Sequence, residues 1–332
     1  VILTRAPLRI TLGGGGTDLS PYVEEHGAFF ITAAIDKYVH VALNPIYEDR
    51  YLLRYSDHES VSHIRAIQHP IIRTAFSIYE VAPGIELTSF ADAPAGTGLG
   101  SSAAFTCALL QALATWYGDP APTPMVLATD ATYIEKTLLG RSIGQQDQLA
   151  TTHPGINAFT IDPEGGCADD GTPQPGGQVH QEVAEPIWTP TTSVLTDHLL
   201  LFYTGLGSRD ASRWLTTYPP STEQLHRIKR IGLDAWVALM SDDLPGFGDL
   251  LHEHWKVKSE FTPGHQTIAD AYRVAGSAGA RGGKLVGAGG AGYLMLYADE
   301  PEALRAAMAK NFPLMPEMKW KLDFKGVDSC RW

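Results

Sequence analysis

The sequence predicts a mixed α/β fold in one or two domains, and three observations carry that expectation. Runs rich in β-branched and aromatic residues, bounded by Gly, Pro and Asn, open the chain and recur along it as strands. Helical patterns are inserted among them without strict strand–helix alternation. The length of 332 residues, with 44% hydrophobic and 19% charged, is enough to bury a core in one large or two ordinary domains.

In chain order, VILTRAPLRITL and FFITAAIDKYVHVAL read as strands joined by GGGGTDLSPYVEEHG, a loop with a short helix. RYLLRYSD and GIELTSFADAP read as further strands, with a mostly helical SVSHIRAIQHPIIRTAFSIYEVA between them. From Ser101, SSAAFTCALLQALATWYG is apolar on nearly every side and almost uncharged, the pattern of a buried helix opened by a serine cap. A second helix, PMVLATDATYIEKTLLG, follows a Pro-rich link, and the polar RSIGQQDQLATTHPGINAFTID returns to a strand. The Gly/Pro-dense stretch 161–192 is expected to be an exposed insertion or hairpin near the boundary of two domains, 1–190 and 191–332. Beyond it SVLTDHLLLFYTG reads as a strand, DASRWL through HEHWKVKSEF as helices, GGKLVGAGGAGYLMLYA as a glycine-rich loop feeding a strand, and PEALRAAMAKNF as a last helix.

The formal charge of −12 argues against a nucleic-acid surface, which needs a basic stripe. An anionic small molecule would have to be held by backbone amides, a metal ion or a few placed Arg and Lys residues. Cys107, Cys167 and Cys330 are too scattered for a disulfide framework or a zinc pair, which fits a reducing compartment. VILTRAPLRI lacks the pattern of a secretory leader and no apolar run approaches a membrane span, so the expectation is a cytoplasmic protein without a membrane partner.

Three glycine-rich stretches remain to be explained. GAGGAG at 287–292 fits the letters of a dinucleotide-binding turn, but a strand follows it where that motif needs a helix, so nicotinamide binding is rejected. DAPAGTGLGSSAAF lacks the Gly-Lys-Ser/Thr ending of a P-loop, yet Gly96, Gly98 and Gly100 can turn backbone amides toward one point directly ahead of a helix, with Ser101 and Ser102 adding hydroxyls. The reading is an anion cradle; a plain tight turn is the alternative. In RAPLRITLGGGGTDL, Arg9 lies on a strand running into Gly13 to Gly16 and Asp18; so long a glycine run has no evident packing value and reads as a place where a ligand approaches the backbone, with a flexible hairpin turn as the alternative. Finally, Glu135 sits in a predicted helix and Asp147 twelve residues on in a Gly/Gln-rich turn. Either could be a solvated side chain or a cap, but phosphoryl transfer needs one carboxylate for Mg²⁺ and another acidic or polar group at the attacking hydroxyl.

Together these pieces resemble the GHMP small-molecule kinases. That family combines an A-P-x-R/K strand with a downstream T-D, a central P-x-x-x-G-L-G-S-S-A-A loop and a C-terminal G-x-G-G-x-G loop. Here Ala6 to Arg9 with Thr17 and Asp18, Pro94 to Ala104, and Gly287 to Gly292 stand in that order. Gly13 lengthens the usual glycine triplet and Ala291 replaces a glycine of the last loop. Within the family, GGGTDL, TAAIDKYVHV, IGQQDQLA, LLLFYTG, LHEHWKVK and GGKLVGAGG resemble the bacterial kinases of D-glycero-D-manno-heptose 7-phosphate, and the likeness spans nearly all of the chain outside 161–192.

The resemblance implies an α+β fold of two domains, the first like ribosomal protein S5 domain 2 and the second ferredoxin-like, with the active site between them. It implies ATP and Mg²⁺ as cofactors, held by Pro94, Gly96, Thr97, Gly98, Leu99, Gly100, Ser101 and Ser102, with Ser102 and Glu135 completing the metal site. Asp147 would be the catalytic aspartate and Arg9 its basic partner. Gly14, Gly15, Gly16, Thr17, Asp18, Gly289 and Gly290 would surround the sugar, and Lys256 and Lys284, with Lys258 and Arg141 as further candidates, would meet a phosphate on it. His252 and His254 do not form a metal motif. The implied reaction phosphorylates the anomeric hydroxyl of heptose 7-phosphate; a 1-kinase of fucose, mannose or a free heptose, and an idle nucleotide or sugar sensor, are the alternatives. The expected partners are ATP and a sugar phosphate, with a homodimer left open.

Overall fold

The structure is a computed structural model that describes residues 1–163, 179–183, 190–206 and 217–332. The DASRWL segment expected as helix and most of the 161–192 insertion lie outside the described residues.

Two long strands organise the first half. β1 (Ile2–Gly13) pairs antiparallel with β2 (Ala28–Pro45) along most of its length. β2 then serves two neighbours in turn, because its 18 residues outrun any one partner: the first part pairs with β6 (Ile156–Ile161) and the last part with β5 (Ile85–Ala91). β3 (Tyr51–Arg54) runs parallel to β5 and forms a hairpin with β4 (His58–Val61), while β7 (Val179–Val183) extends the sheet beyond β6. In the last part of β2 the side chains alternate, with Val39, Val41 and Leu43 buried and Tyr38, His40 and Ala42 facing outward, so one face is packed and the other reaches solvent.

The packed face is covered by α3 (Ser101–Tyr117), whose sequence is apolar all round because it is buried all round, between β1 and β2 on one side and α4 (Pro124–Thr132) on the other. The expected serine cap is absent. Gly100, at φ +75°, takes the cap position without a side-chain bond, and Ser101 is the first helical residue, so neither serine hydroxyl caps the helix. SVSHIRAIQHPIIRTAFSIYEVA gives β4, one 3₁₀ turn and α2 (Pro70–Ile78), the last capped by the His69 ring, so it is less helical than expected. After α1 (Tyr22–His26), the remaining correction here is α5 (Gln146–Thr152): QDQLATT was read as a polar turn and is a short helix, six of its residues being shielded by the surrounding elements.

The second half begins with α6 (Pro190–His198), where SVLTDH had been expected to continue a strand; β8 (Leu199–Tyr203) starts only where the apolar run Leu-Leu-Leu-Phe does. There follow α7 (Thr222–Met240), α8 (Leu244–Phe261), α9 (Gln266–Ser277), β9 (Ala280–Leu285), β10 (Tyr293–Ala298), α10 (Pro301–Asn311) and β11 (Glu317–Met318). The sheet order is β11-β8-β10-β9, all antiparallel. β8 and β9 therefore point the same way with β10 between them, the split βαβ arrangement of a ferredoxin-like domain.

The expected division at residue 190 falls between the two sheets, but the halves interlock. β12 (Asp328–Arg331) returns from the second half to pair with β1. α7 lies against β1 and β2, where a Cβ on Gly232 would come within 2.9 Å of the Gly14 backbone and one on Gly14 within 2.0 Å of the Phe29 carbonyl. Gly13 and Gly14 are thus packing glycines, contrary to the expectation that the whole glycine run faces a ligand. One hydrophobic core runs through both halves, joining Leu8, Ile10 and Leu109 to Leu201, Phe247 and Tyr297, with a second cluster on the far side of the smaller sheet.

Candidate active site

A cavity of about 510 Å³ opens at the junction of the two halves, lined by β1, the Gly96–Ala103 turn, α5, α8 and the β9–β10 loop. β1 delivers Arg9 to its floor, 3% exposed, by pairing the Arg9 amide with the Leu99 carbonyl at 3.0 Å. The guanidinium grips Asp147: Nε donates to Oδ1 at 2.8 Å, Nη2 donates to the same oxygen, and Nη1 donates to the Gly98 carbonyl. Asp147 stands in the first turn of α5 with its side chain about a third exposed, so it faces the cavity while Arg9 holds it from behind. Gly100 is what lets them meet, since a Cβ there would lie 3.1 Å from Arg9 Cγ and 3.6 Å from the Asp147 carboxyl carbon.

Around this pair the turn presents Gly96, Gly98 and Gly100, all with φ between 72° and 81°, and then the first turn of α3. The first amides of a helix have no intrahelical partner and carry the positive end of its dipole, which suits an anion. Ser102, not Ser101, reaches across to a carboxylate: its hydroxyl donates to Glu135 Oε2 at 2.5 Å. Glu135 does not lie in the regular helix expected. It sits in a π-helical segment, Tyr133–Leu138, that continues α4 and swings this side chain inward to 1% exposure. Thr106 and Gln148 donate to its other oxygen at 3.0 and 3.1 Å, and Arg141 donates to Oε2 at 2.6 Å.

Asp18 lines the opposite wall, 5% exposed, and accepts the Gln146 amide at 2.9 Å. Burial pushes its carboxyl above the usual carboxylate range, the charge of Asp147 adding to that and the Gln146 amide opposing it. Thr17 does not face the cavity, because its hydroxyl is used inside the loop by the Gly14 and Phe29 carbonyls. Gly15 and Gly16 do line it.

On the far wall α8 and β9 bring three basic groups together. His254 and Lys258 lie four apart on α8 and share a face; with Lys284 from β9 they line the cavity at 2%, 8% and 2% exposure. Lys284 Nζ is 3.2 Å from His254 Nδ1, and Lys258 Nζ donates to the Leu285 carbonyl at 3.1 Å and to the Gly287 carbonyl. Burial, reinforced by Arg9, brings Lys258 down to about 7; burial and the neighbouring lysines hold His254 and Lys284 well below their ordinary values. Lys256 is elsewhere: two residues from Lys258 it falls on the outer side of α8, more than half exposed and paired with Glu253 at 2.8 Å.

The other expected contacts divide the same way. Thr97 hydrogen-bonds the Pro94 carbonyl and is buried, and Leu99 is buried, so Pro94, Thr97 and Leu99 shape the turn rather than face the cavity. In the last loop Gly287 and Ala288 line the cavity, while Gly289 leaves room for the Lys258 stem and Gly290 lies off the wall. That loop braces the first one: a Cβ on Gly292 would meet the Thr97 carbonyl at 2.0 Å and one on Gly287 the Gly98 Cα at 2.6 Å. Gln146 was given no role from sequence. Its Nε2 donates to Thr11 at 2.8 Å, and its Oε1 is buried at the cavity without a partner, an acceptor waiting for a hydroxyl. The repeated amides of GQQDQ were the available signal. Among the described residues no three His, Cys, Asp or Glu side chains gather as a metal cluster, and no helix is long and apolar enough to cross a membrane.

A ferredoxin-like half locked to a larger mixed sheet, with a glycine-turned helix start set directly over an Arg–Asp pair beside their junction, is the frame of an ATP-dependent small-molecule kinase. The chain belongs to the GHMP kinases: the family's N-terminal domain description matches residues 63–155 and its C-terminal description residues 236–314. A D-glycero-alpha-D-manno-heptose 7-phosphate kinase of Campylobacter jejuni is 24% identical, the match covering 99% of each chain. An L-fucokinase/L-fucose-1-P guanylyltransferase of Bacteroides fragilis is 27% identical over 94% of this chain, which spans only 36% of that longer protein. Among solved structures, a D-glycero-D-manno-heptose 1-phosphate kinase from Bacteroides thetaiotaomicron superposes with a TM-score of 0.78 at 24% identity, covering 100% of this chain and 99% of that one. A galactokinase of Lactococcus lactis follows at 0.69 and 16%, covering 100% and 95%. These structural likenesses confirm the fold.

Proposed function

We propose that the protein transfers the γ-phosphoryl group of ATP to the anomeric hydroxyl of D-glycero-D-manno-heptose 7-phosphate, giving the 1,7-bisphosphate. The observation that carries the kinase chemistry is the Arg9–Asp147 pair directly beneath the glycine turn. Arginine holds the aspartate carboxylate aimed at the cavity, so a hydroxyl seated against it can pass its proton to that carboxylate as its oxygen forms the new bond to phosphorus and the bond from that phosphorus to ADP breaks. Because the phosphoryl transition state is loose, Arg9, the turn amides and the α3 dipole contribute mainly by positioning and by offsetting charge.

Ser102 and Glu135 fit Mg²⁺, since an alcohol and a carboxylate oxygen already converge on one cationic nitrogen, and these two residues would hold the ion. When bound, it neutralises phosphate charge. Asp18, Gln146 and Gly15 offer acceptors and close backbone approach to sugar hydroxyls on the other wall.

The choice of a phosphorylated sugar is supported by the full-length likeness to a heptose 7-phosphate kinase and by the buried Lys258, Lys284 and His254, which among the described residues hydrogen-bond one another and backbone carbonyls. A free sugar such as fucose gives such a cluster nothing to neutralise. The test is ³¹P NMR of the protein with Mg-ATP and, separately, heptose 7-phosphate, free heptose, mannose and fucose. A new anomeric phosphate only with the 7-phosphate is expected; turnover only with a free sugar would keep the chemistry and overturn the substrate.

A further inference from the structure

Arg141 meets the Ser102–Glu135 pair from the open side of the cavity. Its Nη1 lies 2.6 Å from Glu135 Oε2 and 2.8 Å from Ser102 Oγ, the same two atoms that touch each other at 2.5 Å. Of the groups that donate to the nearly fully buried Glu135, Thr106, Gln148 and Ser102 are neutral and Arg141 is the cation. A buried carboxylate without a counter-charge is strongly disfavoured, and Arg141 supplies that counter-charge.

A guanidinium and a divalent ion cannot share those oxygens. Mg²⁺ binds oxygen at about 2.0–2.1 Å, and a second cation a few ångströms away would repel it. Arg141 has a way out. Its side chain is about a third exposed and follows Gly140, which adopts φ +63° with open space where a Cβ would stand. Its main chain is fixed by its N–H, which donates a hydrogen bond to the Glu135 carbonyl at 3.1 Å, so the side chain can turn while its base stays beside the site.

We infer that Arg141 is a built-in competitor of the metal: it neutralises Glu135 in the free protein, is displaced when Mg²⁺ arrives with the nucleotide, and then turns its fork to the nucleotide's phosphate oxygens. Metal and nucleotide binding are thereby coupled, since the nucleotide rewards the displacement that the metal alone must oppose. This rests on the reading of Ser102 and Glu135 as the metal pair.

The experiment is a Mn²⁺ titration of the full chain by electron paramagnetic resonance, with and without a non-hydrolysable ATP analogue, on wild type, Arg141→Gln, Arg141→Lys, Glu135→Gln and Lys136→Gln, each checked for folding by circular dichroism. Without nucleotide, Arg141→Gln is expected to bind Mn²⁺ about 5- to 150-fold more tightly than wild type, and the gain from the analogue to shrink correspondingly. Arg141→Lys, which keeps a charge but not the fork, should lie between and serves if the glutamine variant does not fold. Lys136→Gln removes a charge from the same π-helical segment, from a side chain bonded to Ser20 instead of Glu135, and should change affinity less than about twofold. Equal or weaker Mn²⁺ binding in Arg141→Gln, or an equal gain in Lys136→Gln, overturns the competition while leaving the metal pair standing. Unchanged Mn²⁺ binding in Glu135→Gln overturns the metal pair itself and the competition with it.

Discussion

Asp147→Asn keeps the size of the side chain and removes its negative charge and the basic oxygen that would take the hydroxyl's proton, so kcat should fall about 10²- to 10⁴-fold with the circular dichroism spectrum unchanged; a coupled ADP-release assay reads this, and near-wild-type turnover would remove Asp147 from the reaction. Lys258 gives a pH signature. Its folded value of about 7 lies below the ordinary lysine value of 10.5, so between those two pH values the unfolded chain holds the extra proton and the group's contribution to stability rises with pH. Below pH 7 both states are protonated and the full cost of burying the charge is felt. Denaturant titrations of wild type against Lys258→Met should therefore show a difference that shifts in favour of wild type from pH 7 to 10, and a difference independent of pH would show that Lys258 keeps its proton when folded. A bound phosphate favours the charged lysine, so sugar-phosphate binding at pH 8 should take up protons, measurable as a calorimetric heat that depends on the buffer's ionisation enthalpy. Arg9, Ser102, Glu135 and Asp147, each singled out from the sequence, line one cavity, although the letters left Glu135 and Asp147 open to readings as a solvated side chain or a cap. Lys256 was misplaced and Gln146 passed over because nothing in the letters said which side of α8 turns inward, or that an amide of α5 would be left without a partner.

At the scale of elements, the contact between α7 and the end of β1 depends on glycine from both sides. Gly232→Ala would place a methyl 2.9 Å from the Gly14 backbone and 3.3 Å from the Phe29 ring, so the helix must lift off the strand. Overpacking of this kind costs about 1–3 kcal/mol, and a drop in Tm with retained secondary structure is expected; an unchanged melting curve would show that the helix–strand spacing is slack. The long strands β1 and β2 and the buried α3 were readable because their apolar periods are long. α5 was not, since a seven-residue helix carrying Gln, Asp and Thr has no apolar stripe of its own and is shielded by its neighbours. The π-helical turn at Glu135 was equally unreadable: a helical pattern that bulges by one residue keeps the same letters and changes only where one side chain points. The two-sheet architecture was implied by family likeness, and pattern alone stopped at a mixed fold.

The whole molecule should unfold in one step. The main hydrophobic core joins residues of both sheets, β12 is hydrogen-bonded to β1, and the two glycine loops touch at Gly98 and Gly287. Scanning calorimetry is expected to show a single transition, with calorimetric and van't Hoff enthalpies in agreement; two resolved transitions would show that the halves are held together more weakly than their shared core suggests. The pairing of Leu3 with Cys330 also sets an order of events during synthesis. The two residues lie 327 positions apart in the sequence, so the strand that flanks the opening residues of β1 is made roughly half a minute after β1 at typical elongation rates. Through that interval the opening residues of β1 carry an unpaired edge, the kind of surface on which a nascent chain can pair wrongly before β12 arrives.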